Sequence, residues 1–283
     1  MIFITIAFLS LILVTSLSVS RLLLFPQLKS GMRSRKSDIE PFISIHLAIC
    51  REPIDIVLQT IKSVLDQDYD SFELIVISNN TPDQNQWLPI QEFCSDHNKI
   101  KFMDVGMIKG YKAGALNIAL ENTSEEAEYI LTLDADYILS KDALVQISNA
   151  ASLNDHDILQ YPQAYLYDEQ VCGLKLNYAH YFNLYESSAY KFDNALPTGT
   201  LTLIKTSLFA DGMEWPTNSI TEDAELGVEC LKRGLSIGYE DRIIGRGLMP
   251  ASYRDYSKQY KRWVFGNFQC LMKVLLGKFK LLT

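Results

Sequence analysis

Between Ile43 and Leu133, short apolar runs alternate with segments of helical period, and few folds accept that pattern. Ile43 to Cys50, Phe72 to Ser78, Ile100 to Val105 and Tyr129 to Leu133 read as strands. Ile54 to Gln67, Gln84 to His97 and Tyr111 to Leu120 read as helices. Such alternation argues for an α/β domain with a mostly parallel central sheet covered by helices. Short strands near Asp157 to Tyr161 and Thr200 to Ile204 follow, with an aromatic helix around Leu174 to Tyr190 and another from about Ala224 to Arg233. In an open sheet of this kind, ligands sit beyond the carboxyl ends of the strands. The polar residues there are Arg51-Glu52, Ser78-Asn79-Asn80-Thr81 and Asp134-Ala135-Asp136.

The chain has 283 residues, 48% of them hydrophobic, enough for a sizeable core, so disorder and a small disulfide scaffold are excluded. Its 26 basic residues against 34 acidic ones leave a net charge of -8, which speaks against a nucleic-acid partner. Five cysteines, Cys50, Cys94, Cys172, Cys230 and Cys270, contain no C-x-x-C pair and read as reduced thiols. The four histidines share no ligand spacing.

Both ends point to a membrane. Residues 1–25 are apolar or hydroxylic, with no charge before Arg21, and match the roughly 20 residues that a spanning helix needs. A cleaved signal peptide would carry a basic start and a shorter apolar run, so an anchor fits better. A basic linker, 26–40, follows. Arg21, Lys29, Arg33, Arg35 and Lys36 on that flank place the remainder on the cytoplasmic side of the plasma (inner) membrane. A folded domain is expected over 41–252. Over 253–283, Lys258, Lys261, Arg262 and Lys273 interleave with Tyr260, Trp263, Phe265 and Phe268, which reads either as an amphipathic helix at a lipid surface or as an ordinary helix with solvated lysines.

Four short segments could carry chemistry. Asp134 and Asp136 stand two apart after a strand, so extended geometry would send both carboxylates to one face, where Mg2+ or Mn2+ would relieve their repulsion. An acidic turn is the other reading. Lys112 opens a helix between Gly110 and Gly114, suited to a phosphate or simply solvated. Thr221-Glu222-Asp223 either caps a helix with acids in its first turn or offers a carboxylate as general base. Gln259, Arg262 and Trp263 lie near one helical face, as a diphosphate and sugar clamp or as a membrane-interface cluster.

Taken together and in order, Lys112-Ala113-Gly114, Asp134-Ala135-Asp136, Pro197-Thr198-Gly199-Thr200, Thr221-Glu222-Asp223 and the Q-x-x-R-W at Gln259, Arg262 and Trp263 resemble the membrane-integrated family 2 glycosyltransferases. That group has a GT-A fold and includes cellulose, hyaluronan and β-glucan synthases. The resemblance covers roughly Pro41 to Leu276. It implies a metal held by Asp136 and Asp134, a UDP-sugar diphosphate held by that metal with Lys112, Gln259 and Arg262, and a nucleobase near Asn79 and Asn80. It further implies Asp223, beside Glu222, as the base on the acceptor hydroxyl, with Trp263, Thr198, Gly199 and Thr200 against the glycan acceptor. The reaction would be a single inverting displacement. The stretches 76–81, 199–204 and 220–227 look most like bacterial β-glucan synthases, which makes UDP-glucose the expected donor.

Two departures stand out. Relatives usually carry aspartates where this chain has Ser78-Asn79-Asn80, and an Asn carbonyl accepts the uracil N–H without charge. Relatives that extrude a polymer also have several spanning helices after Q-x-x-R-W, so further membrane-spanning segments or subunits are expected as partners. Two rival readings are transfer of one sugar to a lipid or small acceptor, and an inactive nucleotide-sugar-binding subunit. Intact Asp134, Asp136 and Asp223 argue against the second.

Overall fold

The computed structural model describes residues 40–166, 179–190 and 195–277, together with 12, 14–17 and 19. In chain order, β1 (Ile43–Ile49), α1 (Ile54–Leu65), β2 (Phe72–Ser78), α2 (Leu88–Ser95), β3 (Ile100–Asp104), α3 (Tyr111–Glu121) and β4 (Tyr129–Leu133) form the first half. There follow β5 (Tyr137–Leu139), α4 (Ala143–Leu153), β6 (Ile158–Gln160), β7 (Ala164–Tyr165), β8 (Thr202–Lys205), α5 (Glu222–Lys232), β9 (Ile237–Tyr239), β10 (Gly245–Gly247) and α6 (Tyr253–Leu275).

The seven-stranded sheet runs β3-β2-β1-β4-β8-β6-β9, with β8 antiparallel to both neighbours and the other pairings parallel. A small second sheet, β5-β10-β7, packs beside it. Every residue of β2 is buried and β1 nearly so, as strands covered by helices on both faces require. His46, fully buried in β1, bonds Thr123 Oγ1 at 2.9 Å, and burial pulls its pKa down to about 3. It therefore stays neutral and carries no site chemistry. Helix α3 can press close to the sheet because it is lined with Ala113, Ala115 and Ala119; a Cβ on Gly114 would lie 2.2 Å from the Lys109 carbonyl oxygen.

Several expected boundaries move. The helix expected over Gln84 to His97 is a 3-10 turn, Gln84–Gln86, followed by α2, because Pro89 lacks an N–H and is confined to a first helical turn. The strand expected from Thr200 starts at Thr202, since Gly199 (φ +81°) and Leu201 (φ +51°) bend the chain first. The described part of the aromatic helix holds a π-helical segment, Tyr181–Glu186, then Ser187–Tyr190. Helix α6 begins at Tyr253, the expected start, capped by Ser252, whose Oγ accepts from Asp255 N at 3.2 Å. It ends near Gly277. The anchor expected over 1–25 and the linker over 26–40 lie outside the described residues, apart from 12, 14–17, 19 and 40; among the described residues no helix is long and apolar enough to cross a membrane.

Candidate active site

Strand β1 pairs with β2 on one side and β4 on the other, so the chain reverses its winding beside β1, and a crevice opens at the carboxyl ends of these strands. One compartment of about 440 Å³ is lined by Cys50, Glu52, Asn79, Lys112, Asp134 and Asp136, among others. A neighbouring one of about 570 Å³ shares Lys112 and both aspartates and reaches Asp223, Arg262 and Trp263. Both fall in the usual size range of small-molecule sites.

At the end of β2, Asn79 is buried, and its backbone N and Nδ2 both donate to the Ile49 carbonyl, at 3.0 and 2.9 Å. Its Oδ1 finds no hydrogen-bond partner among the described residues, which leaves a lone neutral acceptor at the compartment wall. Asn80 does something else. With φ +50°, it accepts from Ile108 N at 2.8 Å and donates to Ile108 O at 3.2 Å, so its amide holds the loop before α3 and lies outside the cleft lining.

Asp134 and Asp136 sit in the tight turn between β4 and β5, closed by Tyr137 N donating to Asp134 O, rather than on an extended strand. Thr60 Oγ1 donates to Ala135 O at 2.7 Å and pins the turn from α1. Both carboxylates still line one compartment. Burial, and then the Asp134 charge, push the Asp136 carboxyl up to about 6; burial also raises Glu52. Lys112 forms an ion pair with Asp134 and donates to Gly199 O at 2.7 Å. Burial works against the Lys112 ammonium, yet Asp134, Glu222 and Asp223 outweigh it and hold its pKa above the usual lysine range. Two carboxylates lining one compartment, the Asp136 carboxyl reluctant to ionise, fit a hard divalent cation, whose other positions phosphate oxygens can fill. Among the described residues no three His, Cys, Asp or Glu side chains lie close enough together to hold a metal ion, so the protein's share of such a site is this pair.

On the opposite wall, Gln160 organises the segment 198–202. Its Oε1 accepts from Thr198 N (2.9 Å) and Thr202 Oγ1 (2.7 Å), and its Nε2 donates to Tyr161 O and Thr200 O. Thr200 is fully buried and its Oγ1 accepts from Asp134 N at 3.0 Å; it positions the acidic turn rather than lining the cleft. Thr198 and Gly199 do line it.

Thr221 occupies the N-cap of α5 but makes no side-chain capping bond; its Oγ1 lies 3.8 Å from Cys270 Sγ in α6. Asp223 Oδ1 instead accepts from Ala224 N at 2.8 Å. Burial, then the adjacent Glu222 charge, push the Asp223 carboxyl up to about 7, suited to taking a proton near neutral pH. Helix α6 is fastened to α5 by the Lys273–Glu225 ion pair at 2.5 Å and by Gly266, where a Cβ would strike Thr221 at 2.5 Å. That docking brings Gln259, Arg262 and Trp263 to the cleft. Arg262 Nη1 also donates to Ile220 O at 3.4 Å.

Sequence reasoning missed the buried Gln160 and the half-buried Gln163, whose amides have no motif, and the tyrosines Tyr256 and Tyr260, which it read only as part of a surface helix. Glu52 stood among the strand-end polar residues but received no role.

The model of the family described as Glycosyltransferase like family 2 matches residues 46–266. Poly-β-1,6-N-acetyl-D-glucosamine synthase of Staphylococcus epidermidis is 28% identical over 241 residues, covering 80% of this chain and 55% of the relative. The synthase of the same name from Staphylococcus aureus (strain MSSA476) is 27% identical over 250 residues, covering 83% of this chain and 57% of the relative. The chain thus spans little more than half the length of these relatives. Among solved structures, the mannosyltransferase PcManGT from Pyrobaculum calidifontis, in complex with GDP-Man and Mn2+, superposes with a TM-score of 0.68 at 16% identity, covering 93% of this chain and 74% of that one. S. aureus TarS 1-349 in complex with UDP-GlcNAc superposes with a TM-score of 0.58 at 16% identity, covering 76% and 61%. These two likenesses concern the fold.

Proposed function

The chain belongs to the family 2 glycosyltransferases, and from that membership we propose that it is the catalytic part of an inverting synthase moving a sugar from a UDP-sugar to a β-glycan. N-acetylglucosamine replaces glucose as the donor sugar in this reading. Its support is the similarity to N-acetylglucosamine synthases over some 240 residues, which outweighs the three short stretches that look like β-glucan synthases.

The observation that carries the reading is the convergence of Lys112, Asp134, Asp136 and Asp223 on one cleft. Asp136 and Asp134 would hold Mg2+ or Mn2+, which when bound neutralises diphosphate charge. Lys112 holds the donor diphosphate from the α3 N-terminus, with Gln259 and Arg262 closing from α6. The neutral Asn79 Oδ1 accepts the nucleobase N–H. Trp263 presents a flat apolar face to the acceptor's terminal ring beside Thr198 and Gly199. Asp223 takes the proton of the acceptor hydroxyl; the oxygen forms its bond to the anomeric carbon while the bond to the diphosphate breaks, and UDP leaves with its charge met by Lys112 and Arg262. Attack from the opposite face turns an α-linked donor into a β-linked product.

In this reading α6 lies on the cytoplasmic face of the inner membrane. Supporting it are the exposed Phe265, Phe268, Leu271 and Leu275 beside Lys258 and Lys261, and Ile12, Val14, Leu17 and Val19, helical and exposed near the N-terminus. The test is UDP release by membranes containing the chain, with UDP-N-acetylglucosamine, UDP-glucose and other UDP-sugars in Mg2+, Mn2+ or EDTA, and Asp223→Asn as control. Release from one sugar, dependent on metal and lost in the variant, is expected; equal background in both proteins overturns the enzyme reading.

A further inference from the structure

Tyr111 lines both donor compartments, yet neither the core nor the reaction described above uses it. It is 69% exposed, and its φ of +47° lies in the left-handed region, where a bulky side chain is an outlier. Contacts on both sides impose that backbone. Asn80 holds Ile108 through its N and O, and Gly110 packs so closely on Thr217 that a Cβ there would come within 2.6 Å of the Thr217 Cβ. Helix α3 is itself locked to the segment before Thr217: Asn117 Nδ2 donates to Trp215 O at 3.0 Å, and its Oδ1 accepts from Trp215 N at 2.8 Å. The ring is therefore presented from a rigid base.

A glycine would meet this turn without strain, and an exposed ring adds little to the core. Strain that the surroundings impose beside a cleft points to what the side chain does there. Of the described residues lining the smaller compartment, Tyr111 alone is aromatic; Ala48, Cys50, Pro53 and Ile56 offer no ring. The larger compartment has Tyr137, Tyr165 and Trp263 besides, so a sugar there finds flat faces without Tyr111. What the smaller compartment holds in addition is the buried Asn79 Oδ1, without a partner among the described residues, an acceptor that reads the edge of a planar ring and leaves its face uncovered.

We propose that the Tyr111 ring stacks on the face of the donor's nucleobase, so that Asn79 selects the base by its edge while Tyr111 supplies affinity, the left-handed backbone serving to present the ring. The inference rests on the transferase reading above and adds a donor-binding residue to it. Stacking suits this division of labour, because every base has a π-face and the contact carries little sequence preference. It needs the ring and not the phenolic hydroxyl. Because the exposed ring is covered only when the base is present, its contribution belongs to binding and not to folding.

The experiment is isothermal titration calorimetry of UDP and of inorganic pyrophosphate on the full chain in detergent micelles with Mn2+. Tyr111→Ala, which keeps the strained φ and removes the ring, should weaken UDP about tenfold and leave pyrophosphate unchanged, while Tyr111→Phe keeps most of the UDP affinity. Tyr111→Gly should lose UDP affinity as the alanine variant does, yet raise the Tm of the nucleotide-free protein by relieving the backbone. UDP affinity untouched by Tyr111→Ala overturns the stacking, as does an equal loss for pyrophosphate, which would move the effect to the neighbouring Lys112. A lower Tm for Tyr111→Gly would assign the ring to the fold and overturn the proposal as well. In each of these cases metal-dependent UDP binding by the wild type leaves the transferase reading standing; its absence overturns both.

Discussion

Gly199 and Asp223 meet across the cleft: a Cβ on Gly199 would come within 2.9 Å of Asp223 Oδ2. The missing side chain is the space that the carboxylate occupies, and the positive φ of Gly199, +81°, aims its carbonyl at the Lys112 ammonium.

Gly199→Ala should therefore act twice. The left-handed backbone would cost about 1–2 kcal/mol of stability, and displacing Asp223 by a fraction of an ångström to 1 Å should lower kcat by about a hundredfold. UDP affinity, measured by calorimetry, should change little; a parallel loss of UDP binding would show that Gly199 serves the donor and not the base.

Asp223 couples activity to pH. Its carboxyl, pushed up to about 7 from an ordinary 3.8, predicts an acid limb in kcat/KM near pH 7, and Glu222→Gln should move that limb to lower pH by removing the adjacent like charge. Asp223→Asn should lose on the order of 10²–10⁴ in kcat. Because the folded state holds this proton more tightly than the unfolded chain, ionising Asp223 weakens the fold as pH rises from about 4 to 7. Asp223→Asn should thus raise Tm at pH 8 and leave it nearly unchanged at pH 4; the same Tm change at both values would contradict the raised pKa.

Asp136→Asn should uncouple UDP from metal. In the wild type, UDP should bind more tightly with Mn2+ than with EDTA, because the Asp134 and Asp136 carboxylates lining one compartment gain a cation between them. The variant should bind UDP weakly and equally in both buffers. A variant that keeps the Mn2+ effect would move the metal elsewhere.

Asn79→Ala removes the lone acceptor at the end of β2. A hydrogen bond of about 0.5–1.5 kcal/mol corresponds to roughly a twofold to thirteenfold loss of UDP affinity. Phosphate-dependent binding should persist, so inorganic pyrophosphate should compete as well as before; weakened pyrophosphate binding would count against a nucleobase role.

The Lys273–Glu225 pair fastens α6 to α5 in a largely buried setting. Lys273→Met alone should cost about 3–5 kcal/mol by stranding Glu225, whereas the double change Glu225→Leu with Lys273→Met should recover most of it. Urea unfolding monitored by tryptophan fluorescence would measure both, and equal stability of single and double variants would remove the pair from the docking argument.

Much of this architecture could be read before any coordinates. The runs Phe72 to Ser78 and Tyr129 to Leu133 are strands end to end, because each is a short, mostly apolar and β-branched or aromatic run bounded by polar residues. The strands Tyr137–Leu139 and Gly245–Gly247 escaped notice, since three residues are too few to show a period. Thr200 and Asn80 illustrate a different failure. Their types suit ligand contact, but the fold uses Thr200 to hold Asp134 and Asn80 to hold Ile108.

What the sequence determined by itself was local: hydrophobic period, turn residues, and the order of short motifs along the chain. Tertiary structure alone decided that Lys112 reaches Asp134, 22 residues away, and Gly199, 87 residues away, and that Asp223 faces both. The reason is that period is set by neighbours along the backbone, whereas desolvation and Coulomb energy depend on distances in space. The rise in the Asp223 pKa comes first from burial, which only folding brings about, and then from the Glu222 charge that the sequence already places beside it.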